Sequence, residues 1–221
     1  MVERILNYIS MFLALMIVLP LHEFAHAYAA VKNGDMTPKV YGRYTLNPLA
    51  HFDPMGLAFF VFAGFGWAKP VPIDPYNFKN LKRGLFFTSI AGVSANYALA
   101  FIAYPLSILA SIYLPSVGYF KMVIVLSLTY MVSLSLCFFV FNLIPVYPLD
   151  GFRLVDVFYK RRGDLYNFLR YKGIYVLYAL FLLSVLADFT GVWQLDILGL
   201  LINNVVNVIS KPIVWFWGLI F

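Results

Sequence analysis

The sequence predicts an all-α membrane protein, a polytopic transmembrane helix bundle of about five or six helices with a short re-entrant or hairpin segment. Three observations predict it. Hydrophobic residues make up 62% of the 221 and charged residues 12%, giving a mean hydropathy of +0.83. Long apolar runs recur along the chain. Basic residues gather between those runs. A chain of this composition lacks the polar residues that a water-facing surface requires, so lipid is the solvent for most of it.

A helix needs roughly 20 apolar residues to cross a bilayer. Candidate spans run from about Ile5 to Val31, Leu85 to Leu114, Met122 to Ile144, Ile174 to Ala187 and Ile197 to Phe221. The shorter Met55 to Trp67 run contains Gly56, Gly64 and Gly66 and is too short to span as a straight helix. It reads as re-entrant or as a buried hairpin, which membrane depth tolerates only under cover of protein or a watery cavity. The first run is followed at once by His22, Glu23 and His26 rather than by a small-residue cleavage site, so it reads as a retained helix. Within it Pro20 lacks a backbone donor and should free the Met16 carbonyl, kinking the helix ahead of His22. No repeat or low-complexity segment stands out. One domain is expected over 1–221, with a core over about 5–154 and C-terminal helices over about 174–221.

The formal net charge is +6. Lys32, Lys39, Arg43, Lys69, Lys79, Lys82 and Arg83 precede the second span, and Arg153, Lys160, Arg161, Arg162, Arg170 and Lys172 follow the third. The stretches near Pro115 to Tyr119 and from Asp188 to Asp196 hold no Lys or Arg. This alternation is the pattern of cytoplasmic loops, not of a nucleic-acid surface. It runs Leu85 to Leu114 outward and Met122 to Ile144 back, leaving His22, His26 and Asp150 toward the cytoplasmic side. Cys137, the single cysteine, lies in an apolar run with no partner in the chain.

His22-Glu23-Phe24-Ala25-His26 is an HExxH pattern. A spacing of four puts both imidazoles on one helix face, where they can hold one zinc ion, and Glu23 sits about 100° around the helix. From there its carboxylate can reach a water on the metal, whose pKa zinc lowers to about 7. Two histidines and a glutamate inside an apolar span are costly without partners. A catalytic zinc takes three protein ligands and keeps one open position. Asp150 is the candidate third ligand. It follows Asn142-Leu143-Ile144-Pro145-Val146-Tyr147-Pro148-Leu149, where prolines end an apolar helix, and precedes Gly151, which permits a tight turn. The residues alone leave two readings of Asp150, a ligand directed back into the bundle or a turn aspartate.

At these residues the chain resembles the site-2 protease family of intramembrane zinc metalloproteases, in particular its short bacterial and archaeal members. The resemblance extends to Leu46 through Gly56, to Gly66-Trp67-Ala68-Lys69-Pro70-Val71-Pro72, to Ala91-Gly92-Val93-Ser94-Ala95-Asn96 and to Asn142 through Gly151. It spans most of the chain from His22 to Leu154. The resemblance implies one Zn2+ per chain held by His22, His26 and Asp150, with Glu23 as general base. It implies that Asn96 and Asn142 face the site, where their amides would orient substrate backbone or stabilise an oxyanion; as plain intramembrane asparagines they would instead bond helix to helix. Implied partners are transmembrane or signal-peptide-remnant substrates and membrane lipids, in a prokaryotic cell membrane. No PDZ-like or CBS-like region is expected.

His51 could be an alternate ligand or a proton carrier, or it could cap a loop. Two rival functions share the same ligands. A zinc-binding membrane scaffold would hold substrates without cutting them, but it needs no Glu23 and would close the fourth position. A transporter would usually show paired repeats, and HExxH has no second copy.

Overall fold

The computed structural model describes residues 1–56, 68–159 and 162–221. Most of the predicted re-entrant stretch, from 57 to 67, lies outside the described residues. The chain divides into two compact units, Met1–Ser135 and Leu136–Phe221.

In the first unit α1 (Val2–Lys32) is followed by two single-turn helices, α2 (Thr37–Val40) and α3 (Pro48–His51), a 3-10 turn at Pro75–Asn77, and α4 (Leu81–Tyr113). Helix α5 (Phe120–Asn142) begins here and carries on into the second unit. α1 continues through the buried Pro20 as one helix of 31 residues. It packs mainly on α4, and small buried side chains line both: Ser10, Ala14, Ala27 and Ala30 on α1, and Gly84, Ser89, Gly92, Ala100 and Ala103 on α4. Lipid offers no hydrophobic drive between helices, so close backbone approach through such residues holds them together. Polar bonds add to it: Tyr130 Oη donates to Asn7 Oδ1 at 3.1 Å, and Ser10 Oγ to the Val123 carbonyl at 3.3 Å.

α4 starts four residues before the apolar run does. Asn80 caps it, its side chain accepting from the Arg83 amide at 3.0 Å, so Lys82 and Arg83 sit in the first turn of a helix rather than in a loop. α1 ends in a turn at Gly34, whose φ of 110° is the left-handed region that favours glycine. The next residue, Asp35, is fully buried. Its carboxylate accepts from the Thr37 amide (3.0 Å), the Thr37 hydroxyl (2.5 Å), the Asp74 amide (2.8 Å) and the Asn77 amide group (3.0 Å). The Lys79 amide also donates to the Asn33 carbonyl at 2.9 Å. These bonds tie the segment from Asp74 to Lys79 to the end of α1.

The second unit holds α6 (Asp150–Phe158), α7 (Asp164–Tyr171), α8 (Gly173–Thr190), a 3-10 turn at Trp193–Leu195, α9 (Ile197–Ile209) and α10 (Lys211–Gly218). The apolar run from Ile197 is thus two helices, interrupted at Ser210 just before Lys211-Pro212. α6 and α7 occupy what hydropathy alone leaves as a basic loop. Asp164 in the first turn of α7 and Arg170 in its last complement the helix dipole. Tyr166 Oη donates to Asp156 Oδ1 at 2.5 Å, and Arg170 Nη1 donates to Tyr166 Oη at 2.6 Å. Desolvation, then the bond to Asp156, push the Tyr166 phenol above its usual value.

Gly151 requires a correction. It does not occupy a turn with positive φ; among the described glycines only Gly34, Gly42, Gly118 and Gly191 do. Gly151 is helical and buried, and a Cβ there would lie 2.3 Å from the Leu143 carbonyl oxygen. It is glycine because backbone crosses it closely.

Among the described residues, five helical stretches are long and apolar enough to cross a membrane: Val2–Lys32, Leu81–Tyr113, Phe120–Asn142, Gly173–Thr190 and the α9–α10 stretch Ile197–Gly218. Among the described residues there is no strand, only an isolated bridge between Phe52 and Ala68. The predicted all-α, multi-pass architecture holds.

Candidate active site

The site begins with two turns of α1. His22 and His26 are 6% and 4% exposed, and their Nε2 atoms lie 3.0 Å apart. The rings meet edge to face with centroids 4.6 Å apart. Each ring is fixed through its other nitrogen by α4. His26 Nδ1 is 2.6 Å from the Thr88 carbonyl oxygen. A carbonyl oxygen only accepts, so the proton sits on Nδ1 and Nε2 presents its lone pair. His22 Nδ1 is 3.0 Å from Asn96 Nδ2.

The space for both rings comes from one missing side chain. A Cβ on Gly92 would lie 2.4 Å from His26 Nε2 and 2.5 Å from His22 Cε1. Thr88, Gly92 and Asn96 recur every four residues and so form one stripe of α4 facing the histidines. Carbonyl, gap and amide follow in that order.

This donor set fits zinc. Two imidazole nitrogens on one tetrahedral zinc, each at about 2.0–2.1 Å, stand about 3.3 Å apart. The 3.0 Å seen between the two Nε2 atoms is within a few tenths of that. Partners on the far nitrogens are the usual second layer of a metal site.

Glu23 lies between the histidines in sequence. Its Oε2 accepts the Val71 amide hydrogen at 2.9 Å. Val71 belongs to Lys69-Pro70-Val71-Pro72, and the neighbouring Lys69 amide donates to the His51 carbonyl at 2.9 Å. His51 is fully buried, and its Nε2 donates to the Thr45 carbonyl at 2.7 Å. It fastens one loop to another.

In the second unit Asp150 is the first residue of α6 and 6% exposed. Arg153 Nη1 stands 4.0 Å from its Oδ1, one turn further along. Asn142 ends α5 with Nδ2 donating to the Phe138 carbonyl at 3.0 Å, within its own helix. Asn96 is fully buried and bonds to a histidine of the first unit.

Sequence reasoning missed Thr88, Gly92 as a spacer, and Val71. The first two carry a readable signal, a small or polar residue every fourth position of an apolar helix. Val71 carries none, because a backbone amide has no side chain to betray it.

These features define a class: a multi-pass helical membrane protein that carries a buried, metal-competent histidine pair with a carboxylate, Glu23, adjacent in sequence. The comparisons narrow it. The model of peptidase family M50 matches residues 118–186, a range that includes Asn142 and Asp150. The chain is 40% identical over 145 residues to "Putative zinc metalloprotease YwhC" of Bacillus subtilis (strain 168), an alignment covering 65% of this chain and 66% of that protein. It is 29% identical over 163 residues to "Putative zinc metalloprotease Rip2" of Mycolicibacterium smegmatis, covering 69% of this chain and 60% of that one. The alignments thus leave about a third or more of each relative unmatched. No solved structure matches the chain. The chain belongs to peptidase family M50, the site-2 protease family.

Proposed function

We propose that this protein is an intramembrane zinc metalloprotease that hydrolyses peptide bonds in or near transmembrane segments of membrane-anchored substrates. The observation that carries the reading is the convergence of the two buried Nε2 atoms at 3.0 Å, with Glu23 one residue from His22. Family membership supports it, as do the names of the two relatives.

His22, His26 and Asp150 are assigned as the ligands of one Zn2+ per chain, and Glu23 as the general base. Three protein ligands with one open position are what a catalytic zinc requires. Bound there, zinc would polarise the scissile carbonyl and acidify its water to a pKa of about 7. Glu23 takes the proton of the attacking water and returns it to the leaving nitrogen. The Val71 amide holds one oxygen of that carboxylate in place. Thr88 keeps the His26 proton on Nδ1. Asn142, whose amide nitrogen gives one hydrogen to the Phe138 carbonyl of its own helix, is assigned to substrate through its second amide hydrogen and its Oδ1.

A transmembrane helix hides its carbonyls in internal hydrogen bonds, so substrate must unwind locally before attack. Substrates with Gly, Pro or Asn near the cut are therefore favoured, and membrane regulators or signal-peptide remnants fit that requirement. The basic segments around α2 and α6–α7 favour an orientation with the active site toward the cytoplasm of a prokaryotic cell membrane.

The test is zinc content and cleavage of a model transmembrane substrate, measured in detergent for wild type and Glu23→Gln side by side. About one zinc in both proteins, with cleavage falling by about 10^2- to 10^4-fold in the variant, supports the assignment. Zinc in both and cleavage by neither makes the protein a scaffold instead.

A further inference from the structure

The family reading puts Asn96 beside substrate; the structure puts it on a ligand. Its Nδ2 lies 3.0 Å from His22 Nδ1. The residue is fully buried, and among the described residues its Oδ1 has no hydrogen-bond partner. A buried amide oxygen left without a donor costs about 1–3 kcal/mol, so the arrangement calls for a reason.

The chemistry of the imidazole supplies one. A histidine that gives Nε2 to a metal is neutral and carries its proton on Nδ1. Nδ1 is then a donor and needs an acceptor, as His26 finds in the Thr88 carbonyl at 2.6 Å. For His22 the group in place is the Asn96 amide, which has both a donor and an acceptor end. A half-turn about its Cβ–Cγ bond puts Oδ1 where Nδ2 stands.

We infer that Asn96 is a positioning residue for the metal: its amide oxygen accepts the Nδ1 proton of His22, fixing the tautomer that presents Nε2 to zinc. The inference rests on the metal site proposed above. It takes Asn96 away from the oxyanion and gives α4 a matched pair of acceptors, Thr88 O for His26 and Asn96 Oδ1 for His22, spaced two helical turns apart. A carboxylate serves this role as well as an amide does, since carboxylate–histidine–zinc triads are a common arrangement.

Two variants of the full-length protein separate this from an ordinary interhelical bond. Asn96→Asp offers only acceptors, and Asn96→Leu offers nothing at similar volume. Zinc affinity, measured by competition with a chromophoric chelator, is expected to stay equal or tighten in Asn96→Asp and to fall about 10- to 100-fold in Asn96→Leu. The ring 15N shifts of His22 in chelator-treated Asn96→Asp are expected to place the proton on Nδ1, a reading that needs neither zinc nor activity. Zinc held as tightly by Asn96→Leu as by wild type overturns the inference. So does an Asn96→Asp protein whose His22 carries its proton on Nε2. Failure of the wild type to bind zinc would fall on the proposed function; the 15N result still decides the role of Asn96.

Discussion

α1 and α8 are nearly equal in hydropathy, 1.9 and 1.8 over their most apolar windows, yet 44% of the α1 window is buried inside the protein and 17% of the α8 window. The difference lies in what interrupts the apolar residues. α1 carries Ser10, Ala14, His22, His26, Ala27 and Ala30, all buried. α8 buries only Gly173, Leu177 and Ala187 and exposes Tyr175, Tyr178, Leu182 and Phe189. Hydropathy reports which solvent a helix meets. Small and polar exceptions report which helix meets protein, and polar exceptions beyond packing need mark chemistry.

The largest expected effect tests the exception that creates space. Gly92→Ala puts a methyl group about where the histidine rings lie; zinc affinity should drop at least about tenfold, as for other losses of ligand support, and substrate cleavage should drop with it. The matched change on α8, Ser184→Ala, removes only a bond to its own helix at Leu180. It should leave zinc content and cleavage at wild-type levels. Equal loss from both changes would erase the contrast between the helices.

A smaller effect is expected at Asp35. Burial pushes its carboxyl up, but the bonds from Thr37, Asn77 and Asp74 together outweigh burial and leave it below its ordinary 3.8. A depressed carboxyl contributes stability above its unfolded value, and that contribution fades as pH falls through the lower folded value. Asp35→Ala should cost about 2–4 kcal/mol in thermal or denaturant unfolding. Asp35→Asn should flatten the loss of stability seen in acid below about pH 4. An unchanged acid profile would place the stability of this loop elsewhere. The smallest effect belongs to the lipid face of α8: Leu182→Ala should shift unfolding by no more than about 0.5 kcal/mol.

How much could be read in advance follows from what each feature is made of. Helices are written in side chains, so four of the five spans were located within a few residues of their ends. The start of α4 was placed late because Asn80 caps a basic first turn that hydropathy counts as loop. α6 and α7 went unseen because their amphipathic faces are short and strongly charged. HExxH was legible because spacing of four is helix geometry itself. At Gly151 a turn and a close crossing read alike, because sequence shows that a side chain is missing, not whether torsion or a crossing backbone demands it. The Val71 contact to Glu23 was out of reach, since any residue except proline supplies that amide.

The run Lys69-Pro70-Val71-Pro72 has a consequence for any extended peptide that lies along it. Prolines remove the amide hydrogens at 70 and 72, Lys69 gives its own to His51, and Val71 gives its own to Glu23. All four positions therefore face a newcomer as acceptors alone. A strand docking there would have to contribute every donor itself, and each proline it brought into register would erase a bond the protein has no means to replace.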